Sequence, residues 1–237
     1  MQQTDWTIIY HTADSQICPH IHRFFYEKSN PLANILYADG KEYFLPHPHS
    51  SYQVKNINLG IEIDTQTTAL DFCKGDKLRS FMIHNHDKYL RDWLKDNFNK
   101  ITTNNVALFE WDVLLNKQLP SIKVNGIHIK HITNTKKPWP WMNQVAKINK
   151  NISTGMAPFG VFYTNRYFIE QMIDEKYDYL YNQDLFCEAR LTILSHLIQA
   201  NILEDRKIFQ YRAISNPKFK DNQIPTGCFH PVKEKVY

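Results

Sequence analysis

Two carboxylates, Glu110 and Asp112, stand two residues apart near the end of Asn105-Val106-Ala107-Leu108-Phe109-Glu110-Trp111-Asp112-Val113-Leu114-Leu115, an otherwise apolar, strand-forming run. Residues i and i+2 of a strand project to the same face. On a continuous strand the two acids point into one small volume, where they repel, and burial without a counter-charge is costly. A divalent cation resolves that repulsion, and hard cations such as Mg²⁺ or Mn²⁺ take oxygen ligands. The competing reading is an edge strand leaving the core with both acids solvated.

The elements around this pair alternate. Thr7-Ile8-Ile9-Tyr10 reads as a strand, followed by the polar turn from His11 to Ser15. A helix is expected from Ile21 to Lys28, and a second strand at Asn34-Ile35-Leu36-Tyr37, closed by the turn signal Asp39-Gly40. The prolines of Leu45 to Ser51 make that segment a loop. Phe81 to Phe98 has the spacing of an amphipathic helix, with Leu90, Trp93, Leu94 and Phe98 on one face, and the acidic strand follows at once. Beyond it come a possible hairpin arm at Gly126 to Ile132, a strand at Phe159 to Tyr163 and a short helix at Tyr167 to Asp174. A longer helix is expected from Leu185 to Ala200, with Phe186, Ala189, Ile193, Leu197 and Ile198 inward and Asn182 as its cap. From Phe209 the tail regains strand character. Strand and helix in alternation indicate an α/β fold with a mixed, mostly parallel central sheet flanked by helices. No internal repeat or linker interrupts the chain, so one domain over residues 1–237 is expected.

Composition narrows the function classes. The 237 residues hold 43% hydrophobic and 22% charged side chains, enough for a substantial core. A net charge of +4 with scattered Lys and Arg argues against a nucleic-acid footprint and suits a small anionic ligand. Cys18, Cys73, Cys187 and Cys228 form no CxxC pair, which argues against a zinc or thioredoxin-type motif and for reduced thiols. The first residues lack the basic start and apolar core of a signal peptide, and no apolar run is long enough to span a bilayer. A cytoplasmic protein without a transmembrane segment is expected.

The order of parts resembles glycosyltransferases of the GT-A type. In that family a strand ends in an Asp-x-Asp signature, and Glu110-Trp111-Asp112 occupies its place, with Glu where the family usually has Asp. Pro158-Phe159-Gly160-Val161-Phe162 resembles the strand opening the acceptor half. The segment from Asn182 to Arg190 resembles the acidic helix start opposite the donor, and Phe229-His230-Pro231-Val232-Lys233 resembles the closing histidine segment. The resemblance implies a single GT-A-like domain, with a nucleotide-sugar-binding half over about residues 1–117 and an acceptor half over about 118–237. It implies transfer of one sugar from a UDP- or GDP-sugar donor to a carbohydrate or glycan acceptor, dependent on Mn²⁺ or Mg²⁺.

Carried onto this chain, the resemblance implies a metal site of Asp112 and His230, with Glu110 ligating directly or through water. Glu188 or Asp184 would face the acceptor hydroxyl and take its proton, although acids in a first helical turn are also favoured by the helix dipole alone. Donor contacts are expected from Tyr10, His11 and Thr12 at the end of the first strand, where open α/β sheets bind ligands. Asp39 can accept from a base or ribose, and Lys77, Arg79, Asn85 and Lys88 surround a helix start suited to a diphosphate. Taken singly, each of these residues also reads as solvated surface. His47-Pro48-His49 and His84-Asn85-His86 lack tetrahedral-site spacing, and neighbours in an extended segment point apart, so no zinc site is expected. Trp139 and Trp141 either plug the core or form a sugar platform or lid. Two alternatives stand beside this reading. A metal-dependent nuclease or nucleotidyltransferase would bring a lysine such as Lys117 to the acids, and a non-catalytic carbohydrate-binding relative would keep the aromatics without the metal pair.

Overall fold

The computed structural model describes residues 6–11, 34–38, 84–110, 113–115, 117–129, 142–152, 161–209 and 228–229. The helix expected at Ile21 to Lys28, the Leu45 to Ser51 loop and the Trp139 and Trp141 loop lie outside these residues. The strands are β1 (Trp6–His11), β2 (Asn34–Ala38), β3 (Asn105–Glu110), β4 (Leu114–Leu115), β5 (Gly126–Ile129), β6 (Val161–Asn165), β7 (Asn201–Glu204) and β8 (Cys228–Phe229). The helices are α1 (His86–Asn97), α2 (Met142–Ile148), α3 (Arg166–Ile173), α4 (Asp178–Tyr181) and α5 (Cys187–Leu197).

Among the described residues, six strands form the central sheet in the order β2-β1-β3-β6-β5-β7. β2, β1 and β3 run parallel, β6 runs antiparallel to both β3 and β5, and β7 runs parallel to β5. Every strand of this sheet except β6 therefore ends at the same edge. The α/β fold with a mixed, mostly parallel sheet is as the alternating elements indicated. β1 and β3 are buried along almost their whole length, as strands covered on both faces must be. Their alternation divides the core. Trp6, Ile8, Tyr10, Ala107 and Phe109 pack on one face with Tyr163, Leu119 and Phe209. Ile9, Val106 and Leu108 pack on the other, beneath Leu90 and Leu94 of α1, Phe168 of α3 and Ala189, Ile193 and Leu194 of α5. His11 and Glu110 share the parity of Ile9 and Leu108, so they belong to the face that carries α1 and α5.

Four local features differ from the sequence expectation. First, the run from Asn105 to Leu115 is not one strand. β3 stops at Glu110, where the Val113 N–H donates to the Glu110 carbonyl at 3.1 Å, an i to i+3 turn bond. The chain resumes as β4, antiparallel to β8 with Leu114 opposite Phe229. The same-face rule for i and i+2 therefore does not relate Glu110 to Asp112. Second, β5 is no hairpin arm but an inner strand held between β6 and β7. Third, Asn182 does not cap α5. Its N–H closes α4 by donating to the Asp178 carbonyl at 2.9 Å, and Phe186 precedes α5. Fourth, α5 ends at Leu197, which is 40% exposed rather than inward. Gln199 there takes φ 54°, with Ala200 N–H on the Ser195 carbonyl at 2.8 Å and Gln199 N–H on the His196 carbonyl at 3.1 Å. This Schellman closure stops the helix and releases Asn201–Glu204 to become β7.

The β5–β7 pairing depends on the absence of a side chain at Gly126. A Cβ there would overlap the Asn201 carbonyl oxygen and stand 3.0 Å from its carbon. Backbone cannot retreat as a flexible side chain can, so Gly126→Ala should destabilise the fold by about 1–3 kcal/mol. Urea unfolding of the variant checks this, and parental stability would show that the two strands do not meet so closely.

Candidate active site at the C-terminal edge of the sheet

The ends of β1 and β3 meet the start of α1. His11 closes β1 directly beside Glu110, which closes β3. Over them lies His86, the first residue of α1, with its Nε2 2.8 Å from His11 Nδ1 and its Nδ1 3.6 Å from Glu110 Oε1. His11 is 1% exposed, whereas the Glu110 side chain keeps 27% of its surface. One proton lies between the two facing ring nitrogens, so one imidazole donates and the other accepts.

The second wall is the turn from Gln183 to Phe186 and the start of α5. Arg190 of α5 is fully buried, and its whole donor fork is used. Nε and Nη2 each donate to one oxygen of Asp87 at 2.6 Å, and Nη2 also donates to the His84 carbonyl at 2.8 Å. Nη1 donates to the carbonyls of Leu185 and, at 3.4 Å, Gln183. Burial opposes the guanidinium charge, but the Asp87 carboxylate outweighs it and raises the Arg190 pKa. The turn is held from its other side by Gln144 of α2, whose Oε1 accepts from the Phe186 N–H at 2.8 Å.

This frame presents three carboxylates. Glu188, in the first turn of α5, is half-buried, and Asp184 is 71% exposed with Oδ1 2.8 Å from His84 Nε2. Burial first, and then the charges of Asp87, Glu188 and Glu110, push the pKa of the intervening Cys187 thiol up. Lys88 is half-buried beside the same acids, and burial and Arg190 hold its pKa down against Asp87 and Asp184.

The structure thus gathers Glu110, His11, Asn85, Asp184 and Glu188 at one edge. Tyr10, by contrast, is 3% exposed and packs with Phe109 on the opposite face. Thr12, Asp39, Lys77, Arg79, Asp112 and His230 lie outside the described residues, as do His47 and His49. Among the described residues, no group of three or more His, Cys, Asp or Glu side chains is arranged to hold a metal ion. Lys117 donates to the Lys207 carbonyl at 2.9 Å. Sequence reasoning weighed His84 and His86 only as a zinc pair, with the rule for an extended segment, although both fall within the helix expected from Phe81 to Phe98. In the structure the two rings reach different partners. Sequence reasoning also passed over Asp87 and Arg190. The signal available was Arg190 itself, a cation amid the apolar residues of α5.

No family model matches this sequence, and no curated protein matches it. Among solved structures, the chain is similar to the galactosyltransferase LgtC in complex with donor and acceptor sugar analogues. The TM-score is 0.54 and the identity 10%, covering 94% of this chain and 86% of that one. An active-site mutant of LgtC gives a TM-score of 0.53 at 10% identity, covering 96% and 88%. The fold is GT-A. At this identity the likeness is one of architecture, and it spans nearly the whole chain. In this GT-A fold the described acids sit where open α/β sheets bind ligands, beyond the carboxyl ends of the parallel strands.

Two outcomes follow from the frame. Arg190→Ala leaves the Asp87 carboxylate buried without its partner, which should cost about 3–5 kcal/mol. Replacing both partners with apolar residues should recover much of that loss, and denaturant unfolding of the single and double variants reads the difference. Burial also lowers the pKa of His84, His128 and His196 below the ordinary value of 6.5. The unfolded chain therefore binds more protons than the folded one just below pH 6.5, and stability should fall as the pH drops through that window. Unfolding measured from pH 7.5 to 5 tests the sign, and His128→Gln should flatten the slope.

Proposed function

We propose that this protein is a divalent-metal-dependent glycosyltransferase that moves one hexosyl or pentosyl unit from a UDP- or GDP-sugar to a carbohydrate hydroxyl. The observation that carries the metal reading is the pairing of β4 with β8. Asp112 is two residues from Leu114, and His230 directly follows Phe229, the partner of Leu114. The two short strands that neighbour these residues in sequence thus lie side by side. Glu110 is joined to the same segment through the Val113 N–H. Two carboxylates and an imidazole form a donor set suited to Mn²⁺ or Mg²⁺. When bound, the cation would neutralise charge on the leaving diphosphate.

The chain's own residues supply the remaining roles. Glu188, half-buried in the first turn of α5, accepts the proton of the acceptor hydroxyl. As it does so, the acceptor oxygen bonds to the anomeric carbon and the bond from that carbon to the diphosphate oxygen breaks. A base in this role gives inversion at the anomeric carbon. A sugar hydroxyl is a poor nucleophile at neutral pH, so a positioned carboxylate is worth about 10²–10⁴-fold. Asp184, exposed and fixed beside His84, receives sugar hydroxyls, and Lys88 with the α1 start faces the anionic donor. Tyr10, buried on the opposite face, is left out of the donor site, while Thr12, Asp39, Lys77 and Arg79 remain its proposed partners. We infer one domain over residues 1–237 and a cytoplasmic location. No described helix is long and apolar enough to cross a membrane.

A thermal-shift panel of nucleotide-sugars, with and without Mn²⁺, tests the donor. Ligand at one hundred times its Kd stabilises by about 2.7 kcal/mol, so a true donor should stand out and require the metal. Asp112→Asn should abolish Mn²⁺-dependent donor hydrolysis, and Glu188→Gln should lower kcat by about 10²–10⁴-fold with an unchanged melting temperature. Parental hydrolysis by Asp112→Asn would overturn the metal assignment.

A further inference from the structure

His84 and Asp184 form a contact between very unlike environments. The imidazole is 2% exposed at the start of α1, and the carboxylate it meets is 71% exposed. Nε2 lies 2.8 Å from Asp184 Oδ1, within hydrogen-bond distance although the ring N–H is not aligned on that oxygen. Nδ1 is buried without a hydrogen-bond partner. Protonating both nitrogens would strand a buried N–H there, which is costly. The neutral ring with its proton on Nε2 avoids that penalty, because it faces an acceptor with its only N–H. The surrounding charges favour the same state. Burial and the Arg190 guanidinium disfavour a second cation here, against the opposing pull of Asp184 and Asp87. The Phe186 ring closes the remaining side, edge-on at 5.8 Å.

The backbone on both sides of the contact is held in place. The His84 carbonyl is held by Arg190 Nη2, and the same guanidinium holds the Gln183 and Leu185 carbonyls on either side of Asp184. The backbones on both sides of the contact are thus fixed to one buried group.

We propose that His84 is a positioning residue for Asp184: its neutral imidazole presents Nε2–H to Oδ1 and fixes the carboxylate at the mouth of the site, leaving Oδ2 to accept a substrate sugar hydroxyl. This rests on reading the edge as a sugar site, with Asp184 as a hydroxyl acceptor and Glu188 as the base. A carboxylate with one oxygen already occupied is a better fixed acceptor than a base, and it divides the two acids by role.

The test separates the contact from the activity. In the ¹⁵N-histidine-labelled protein without ligand, His84, assigned by its loss in His84→Gln, should read as the neutral Nε2–H tautomer from pH 8 to 6. Asp184→Asn, at an exposed position, should shift the Nε2 resonance. An Nδ1–H tautomer, an imidazolium at pH 7, or an Nε2 signal indifferent to Asp184→Asn overturns the proposal. In turnover, His84→Gln, which keeps an N–H near the Nε2 position, should hold the donor or acceptor KM within about twofold. His84→Phe should raise one of them about tenfold with kcat little changed, the equivalent of one charge-assisted hydrogen bond. Equal behaviour of the Gln and Phe variants overturns the proposal. If His84→Phe fails to fold, the resonance of the parent and of Asp184→Asn still decides it. If the parent turns over no nucleotide-sugar, the glycosyl-transfer reading fails, and the resonances still judge the contact.

Discussion

The buried pair of Asp87 and Arg190 is the constraint from which the candidate site takes its shape. A guanidinium out of water needs an acceptor for every N–H, and this one finds them on two separate stretches of chain: the Asp87 carboxylate and His84 carbonyl on one, and the carbonyls of Gln183 and Leu185 on the other. Such a pair adds little net stability compared with apolar side chains of the same size. It does fix geometry. The start of α1, the turn before α5 and the first turns of α5 cannot shift independently without stranding a buried donor. These are the segments that carry His84, His86, Asp184 and Glu188.

The sheet supplies the other half of the site. Parallel β1 and β3 must be covered on both faces, so their side chains alternate between two cores until each strand reaches the common edge. The first residues beyond that coverage on the α1 face are His11 and Glu110. His86 then bridges them to α1. Polar groups at this depth survive only as a connected chain, because an isolated buried imidazole or carboxylate would lose its hydration without replacement.

Most of the architecture was legible in the sequence, and the reasons are periodic. Ile8, Ile9 and Tyr10 in β1 and Leu90, Trp93 and Leu94 in α1 follow the periods of a doubly covered strand and a one-sided helix. β7 was not legible because its four residues follow α5 with only a short break, set by the φ of Gln199 rather than by a glycine or proline. The break after Glu110 was equally silent: Trp111, Asp112 and Val113 fit a strand by composition, and the turn bond from Val113 is a tertiary outcome. In the site, Glu110, Asp184 and Glu188 were visible as acids at element ends. The Asp87–Arg190 pair joins residues 103 apart, and no local pattern encodes such a separation.

A division between rigid and exposed groups follows from these contacts. Asp87 and Arg190 are nearly inaccessible and occupied with one another and with backbone, and His11 and His84 are nearly inaccessible beside His86 and Asp184, whereas Asp184, Glu110 and Glu188 keep exposed surface. Exposed carboxylates on mobile side chains would need to be ordered by each incoming ligand, at a conformational cost. Carboxylates attached to a frame of buried groups lose part of that freedom in folding. The two kinds of group are close in sequence, as Asp184 and Glu188 are to Arg190, so one short segment both builds the frame and presents the acid. In a GT-A fold at 10% identity to its structural neighbours, that arrangement belongs to this chain's own residues, because architecture alone dictates the edge and not the side chains that occupy it.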